Sequence, residues 1–198
     1  MIHKVNNALG INQFNFLQSE LTSDALPWHF LRNTAVILDH DSEDNFSFCN
    51  TVYDIDLFNN IPGTPLFTLC YNALLGCLDS CGVEINELYR IRLNMYTKHH
   101  EKMAHGPHVD DHIRSMKVGI LYITTNVDSP TLFYNKLHEP GVDTNTYEDI
   151  CKKQLLVDRE VQSVENNFVL FNSNMYHSST RPTQEAVRIN INYNFTIK

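Results

Sequence analysis

Arg188-Ile189-Asn190-Ile191-Asn192-Tyr193-Asn194-Phe195 alternates polar and apolar residues without a break, and its reading decides the fold. Successive side chains of a β-strand point to opposite faces, so Arg188, Asn190, Asn192 and Asn194 share one face while Ile189, Ile191, Tyr193 and Phe195 share the other. The apolar face must be buried. A face of one guanidinium and three amides turns either to water or into a polar cavity, and a guanidinium buried in a cavity requires an anion.

Working outward, residues 88–96 alternate in the same way, with Ile91, Leu93 and Met95 on one face and Arg92, Asn94 and Tyr96 on the other. Asn94 and Tyr96 are therefore candidates to line a ligand cavity, or else part of an exposed polar face. Residues 118–124 form a strongly apolar strand, and 125–130 carry turn residues that return the chain into 131–134, which reads as a hairpin. Further strands are expected at 161–164, 168–171 and 186–197. Helices belong to the first half. Ile11, Phe14, Leu17 and Leu21 recur at three- and four-residue steps over 10–21. Leu66, Cys70, Ala73, Leu74, Cys77, Leu78 and Cys81 do so over 65–81, with Pro65 at the start and Gly82 just past the end. Residues 27–31 read as a strand whose Trp28 is a core or pocket-wall aromatic, with His29 beside it a substrate contact or a structural histidine.

The chain has 198 residues and a net charge of −8. That length buries a sizeable core and is read as one domain, with helical support over about 1–87 and a β core over about 88–198. No apolar run approaches the roughly 20 residues of a membrane-spanning helix, and the opening Met1–Asn7 lacks the apolar region of a signal peptide. A cytoplasmic location is expected. Clustered Lys and Arg are absent, so the chain has no nucleic-acid footprint. Five cysteines cannot all pair within one chain, and Cys70, Cys77 and Cys81 sit in one helical pattern, which makes them core thiols rather than a disulfide framework or a metal site. The acidic run 39–44 lacks the glycine and terminal glutamate of a calcium loop and reads as a solvated turn. Residues 135–153 form a long polar connection with a short helical pattern at 146–153, expected to be a lid or rim over a substrate opening, or a plain surface excursion.

His108-Val109-Asp110 places an imidazole and a carboxylate two residues apart, on one face of a strand or its end, where they can grip one cation. His177, just beyond the apolar run 168–171, is the candidate third ligand. Two histidines and one carboxylate leave positions open and suit a non-heme Fe(II) that must still bind a co-substrate and O₂. Five histidines fall between Thr97 and Ile113, and of these only His108 has a carboxylate at the two-residue spacing with an apolar strand close behind it, which leaves His99, His100, His105 and His112. They read as bystanders.

The ordered set His108, Asp110, His177 and Arg188, with Tyr122 in the strand between, resembles the Fe(II)/2-oxoglutarate dioxygenases and, within them, the prolyl-4-hydroxylase-like group that includes uncharacterised phage and marine proteins. The resemblance covers the chain in detail from about Leu88 to its end. It implies a mainly β fold with flanking helices, a double-stranded β-helix or jelly-roll core. It implies Fe(II) held by His108, Asp110 and His177, and 2-oxoglutarate chelated through its oxo-acid end. The far carboxylate would lie on Arg188, with Asn190, Asn94, Tyr96 and Tyr122 around it. The activity implied is hydroxylation of a small-molecule, amino-acid or peptide substrate, with O₂ consumed and succinate and CO₂ as co-products. Related halogenases replace the carboxylate ligand by a small residue; Asp110 keeps it, which favours hydroxylation. Where that family commonly carries two glycines, this chain has Ser129-Pro130.

Two other readings compete. A cupin-like metalloenzyme with no oxo-acid co-substrate explains two histidines and an acid but gives Arg188 no role. A non-catalytic jelly-roll binding or virion protein makes all four residues coincidental. Arg181 also follows the distal histidine, but Pro182 places it in a connection where its position is poorly fixed, so Arg188 is the expected anchor and Arg181 a rim contact.

Overall fold

The computed structural model describes residues 1–34, 44–57, 64–111, 115–139 and 154–198. Most of the acidic run, His112, Cys151, the helical pattern 146–153 and the bulk of the expected lid lie outside the described residues. In chain order the elements are β1 (His3–Val5), α1 (Ile11–Leu21), β2 (His29–Leu31), β3 (Ser47–Asp54), α2 (Pro65–Cys81), β4 (Ile85–Thr97) and β5 (Met103–Ala104). There follow β6 (Lys117–Tyr122), β7 (Asn126–Leu137), β8 (Val157–Ser163), β9 (Phe168–Asn172), β10 (Met175–Ser178), β11 (Thr180–Arg181) and β12 (Val187–Ile197).

A seven-stranded sheet in the order β1-β9-β6-β12-β4-β3-β2 faces a three-stranded sheet β10-β7-β8, and β11 pairs with β5. All pairings are antiparallel. This is the expected jelly-roll type of core. The alternation of β12 sorts its residues as read: Ile189, Ile191, Tyr193 and Phe195 join one buried apolar cluster with Phe14, Leu17 and Leu21 of α1 and Cys70, Ala73, Leu74, Cys77 and Leu78 of α2. The helices therefore cover the outer face of the large sheet. A second cluster of Val118, Ile120, Tyr122, Phe133, Val161, Val169 and Phe171 fills one end of the space between the sheets.

α2 starts and stops where its sequence says. The Thr64 side chain caps the Phe67 N–H at 3.2 Å, and Pro65 loses nothing at the first position because its missing N–H would have no helical partner there. Gly82 takes φ 66°, the left-handed conformation that closes a helix without a Cβ clash. The thiols on the core face are free, and burial pushes that of Cys70 up to about 12.

Several expectations are corrected. β6 and β7 are not a hairpin: β6 lies between β9 and β12 in the large sheet, whereas β7 lies between β10 and β8 in the small one. The chain crosses between sheets at 123–125, held by Thr124, whose Oγ1 accepts from the Ile189 N–H at 2.8 Å and donates to Asn126 Oδ1 at 2.9 Å. Ser129-Pro130 falls inside β7, where the register with β8 shifts between Asn126 and Thr131 and a residue without an N–H is tolerated. The large sheet also draws β1, β2 and β3 from the stretch read as helical support. His29 is exposed on β2, while Trp28 packs against the helix-side core. The connection after 135 is shorter than expected at its start, because β7 runs on to Leu137.

Candidate metal centre and co-substrate pocket

His108 and His177 are locked to each other by backbone. They form an antiparallel bridge in which each N–H donates to the other's carbonyl at 2.9 Å, and β10 is held in turn by β7, with His177 opposite Phe133. The rings lie 4.5 Å apart between centroids. Nδ1 of His108 lies 3.1 Å from the Gly106 carbonyl and Nδ1 of His177 lies 3.0 Å from that of Met175. A carbonyl only accepts, so each Nδ1 carries the proton and each Nε2 presents its lone pair. Both Nε2 atoms stand 3.9 Å from the same oxygen, Oδ1 of Asp110. Two donor atoms each about 2.1 Å from one cation can be at most about 4.2 Å apart, so that spacing suits a shared ion. His108, Asp110 and His177 form the one such group of ligating side chains among the described residues.

Asp110 is aimed by groups the sequence reading did not assign. Its Oδ2 accepts from Asn192 at 2.9 Å and from Asn194 at 3.1 Å, and Arg90 approaches Oδ1 at 3.7 Å. One carboxylate oxygen is thus occupied and the other faces the imidazoles. The signal was available: Asn192 and Asn194 share the β12 face that begins with Arg188. Burial alone would raise Asp110, but the charges of His177, Arg90 and His108 and the Asn192 hydrogen bond override it and hold the carboxyl well below its ordinary value. His108 is pushed down to about 4, by burial first and by His177 second, against the opposing pull of Asp110. A neutral His108 imidazole beside an ionised Asp110 carboxylate is the pair of protonation states that metal ligation needs.

Arg188 lies along the same β12 face, about 13 Å of strand away from Asn192. It is fully buried. Nη2 donates to Thr131 Oγ1 at 2.8 Å and Nη1 to the Thr180 carbonyl at 3.3 Å, while Nε has no partner. Its guanidinium carbon sits 5.3 Å from the Tyr96 ring centre and 5.7 Å from that of Tyr122. The Tyr122 hydroxyl pairs with the same Thr131 oxygen at 2.8 Å. Asn190 accepts from Asn94 at 3.2 Å on the strand beside it. Among the described residues no carboxylate forms an ion pair with Arg188. A buried cation with only neutral partners and an open N–H is suited to an anionic ligand.

Arg181 is not loosely held, as Pro182 had suggested. It is buried in β11, donating to Thr97 O at 3.0 Å, Thr97 Oγ1 at 2.9 Å, Lys98 O at 3.3 Å and Asp44 O at 3.0 Å, with its guanidinium 4.6 Å from the Phe46 ring centre. Its work is to tie strand ends together. His105, read as a bystander, is also buried, with Nδ1 2.9 Å from Ser179 Oγ and its ring against Tyr96 at 5.3 Å. At the base of the long connection, Asn135 and Leu156 exchange hydrogen bonds at 3.0 Å, and His138 Nδ1 lies 3.0 Å from the hydroxyl of Tyr176, the neighbour of His177.

No family model and no curated protein matches the sequence. Solved structures do match. An oxidoreductase of the 2OG-Fe(II) oxygenase family from Burkholderia pseudomallei is similar with a TM-score of 0.62 at 12% identity, over 98% of this chain and 84% of that one. A prolyl-4-hydroxylase from Pseudomonas putida is similar at 0.58 and 14% identity, over 100% and 92% of the two chains. HygX from Streptomyces hygroscopicus, solved with nickel, 2-oxoglutarate and hygromycin B bound, is similar at 0.59 and 14% identity, over 98% and 82%. The chain has the fold of these enzymes. No helix among the described residues is long and apolar enough to cross a membrane.

Proposed function

We propose that this protein is an Fe(II)- and 2-oxoglutarate-dependent oxygenase that hydroxylates a C–H bond of a small molecule or peptide in the cytoplasm. The observation that carries the reading is Arg188. A metal triad alone would serve a cupin-like enzyme equally well, but a fully buried guanidinium with an open Nε, on the same β12 face as the two asparagines that hold Asp110, has a role only if an anion enters the cavity. In a purely structural jelly roll it would be a cost without a return.

His108, Asp110 and His177 would hold Fe(II), and the bound metal and its co-substrate together would supply the O₂-dependent oxidation, with succinate and CO₂ released. The chain's own residues do the rest. The carbonyls of Gly106 and Met175 fix the imidazole tautomers. Asn192 and Asn194 hold Asp110 to one ligating oxygen, as outer partners of metal ligands generally do. Arg188 and Thr131 would bind the far carboxylate of 2-oxoglutarate between Tyr96 and Tyr122. Asn190 and Asn94 would border its chain. Asp110 fills the position a halide would need, so hydroxylation rather than halogenation is expected.

The test is O₂-dependent conversion of 2-oxoglutarate to succinate, measured with a panel of candidate substrates and corrected for turnover without them. The native protein should show substrate-stimulated succinate, and His108→Ala and His177→Ala should abolish it. A cupin-like enzyme or a binding module forms none. Full turnover in His108→Ala would remove the triad from the reading.

A further inference from the structure

We infer that Arg92 is the docking point for an oxyanion, a carboxylate or a phosphate, carried by the substrate itself. The inference rests on the oxygenase reading and names the class of substrate that the site takes. Arg92 lies on the cavity face of β4, directly opposite Asn192 in the register with β12, and Asn192 is the residue that holds Asp110. It therefore stands beside the metal end of the cavity, one strand over. It is only partly buried, so a ligand can reach it, yet its Nε is buried without a partner. Among the described residues it has no ion pair and no side-chain hydrogen bond.

Arg90, two residues away on the same face, shows what a cation with a structural role looks like here. It approaches Asp110 and borders a hollow of about 100 Å³ that also receives Asp54, Asp56 and Asp111. Arg90 pairs with Asp110 beside further acids, whereas among the described residues Arg92 forms no ion pair with an acid. The charges of the loaded site point the same way. On the oxygenase reading, Fe(II) would be balanced by Asp110 and one carboxylate of 2-oxoglutarate, and Arg188 by the other. Arg92 remains as a cation with nothing assigned to it, in a chain whose net charge is −8. A positive group inside a walled cavity of an acidic protein attracts and orients anions there. A planar guanidinium takes an oxyanion through paired N–H donors, which would fix the substrate's orientation toward the metal as well as its affinity.

The experiment uses protein loaded with Mn(II) and 2-oxoglutarate, which binds ligands without turnover. Mn(II) broadens the NMR lines of any ligand held near it. The probes are matched pairs: N-acetylglycine against N-acetylglycinamide, and glycerol 3-phosphate against glycerol. Binding of 2-oxoglutarate is measured first, so a protein that fails to bind it fails the oxygenase reading, and this inference with it, before any probe is added. The expected result is that at least one anion binds about tenfold or more tighter than its neutral partner. Arg92→Met should erase that preference and Arg92→Lys should keep part of it, with the affinity for 2-oxoglutarate within about twofold of native in both. The pair showing the larger preference tells carboxylate from phosphate. Equal binding of anions and neutral partners, or a preference that survives in Arg92→Met, overturns the inference. So does a selective loss of 2-oxoglutarate affinity, which would assign Arg92 to the co-substrate.

Discussion

The corner around Arg181 and the pocket around Arg188 each bury a guanidinium almost completely, and they differ in what the protein has left for it to do. Arg181 spends its donors on three carbonyls and a hydroxyl and lies on an aromatic ring. Arg188 has one hydroxyl, one long contact to a carbonyl, two aromatic faces and an open Nε. Burial does not distinguish them. Saturation does: a satisfied buried cation holds strands together, and an unsatisfied one is shaped for something that arrives later.

The largest expected effect is on the structural side. Arg181→Ala should strand several buried acceptors and remove the stacking on Phe46, destabilising the protein by roughly 3–5 kcal/mol in chemical denaturation. Arg188→Leu should leave the stability of the apo protein unchanged or raised, since it removes a cation without an ionic partner. Its cost falls on the ligand. Charge-assisted hydrogen bonds contribute about 1.5–3 kcal/mol, so the dissociation constant for 2-oxoglutarate, read by calorimetry, should rise at least about tenfold. Reversal of these two patterns would break the comparison.

Acid sharpens it further. Burial pushes His105 down to about 3, with the charges of Arg181 and Arg188 adding to the shift and the Ser179 hydrogen bond opposing it. A folded pKa below the unfolded one means that the unfolded chain binds more protons between those values, so stability is full above about 6.5 and is lost as pH falls. Between pH 7 and pH 5 the native apo protein should lose roughly 2 kcal/mol more than His105→Gln. Equal losses in denaturation at the two pH values would show that His105 is not held neutral. The smallest effect belongs to Thr131→Val, which removes the oxygen shared by Arg188 and Tyr122. A rise of about threefold to tenfold in the dissociation constant of 2-oxoglutarate is expected.

What was legible in the sequence follows the range of the interactions involved. β12 could be read because strict alternation is local, and α2 because Pro65 and Gly82 mark its ends through their own backbone preferences. The three candidate ligands and Arg188 were legible as an ordered set, and the structure brings His108, Asp110 and His177 within 4.8 Å of one another. β3 escaped because a bulge between Thr51 and Tyr53 breaks its period. The crossing from β6 to β7 escaped because turn residues look alike whether the chain returns to the same sheet or passes to the opposite one. Arg181 was misjudged for a related reason: Pro182 is a local signal, whereas Thr97, Lys98 and Asp44, which fix the guanidinium, are distant in sequence.

The most direct test of the account is an anaerobic titration of the Fe(II)-loaded protein with 2-oxoglutarate, followed by visible absorption. The account predicts the weak charge-transfer band of a chelated oxo acid, saturating at one 2-oxoglutarate per chain. The band should be lost in His177→Ala, and it should appear in Arg188→Leu only at much higher 2-oxoglutarate. No band in the native protein with Fe(II) bound would contradict the pairing of the triad with Arg188 in one site.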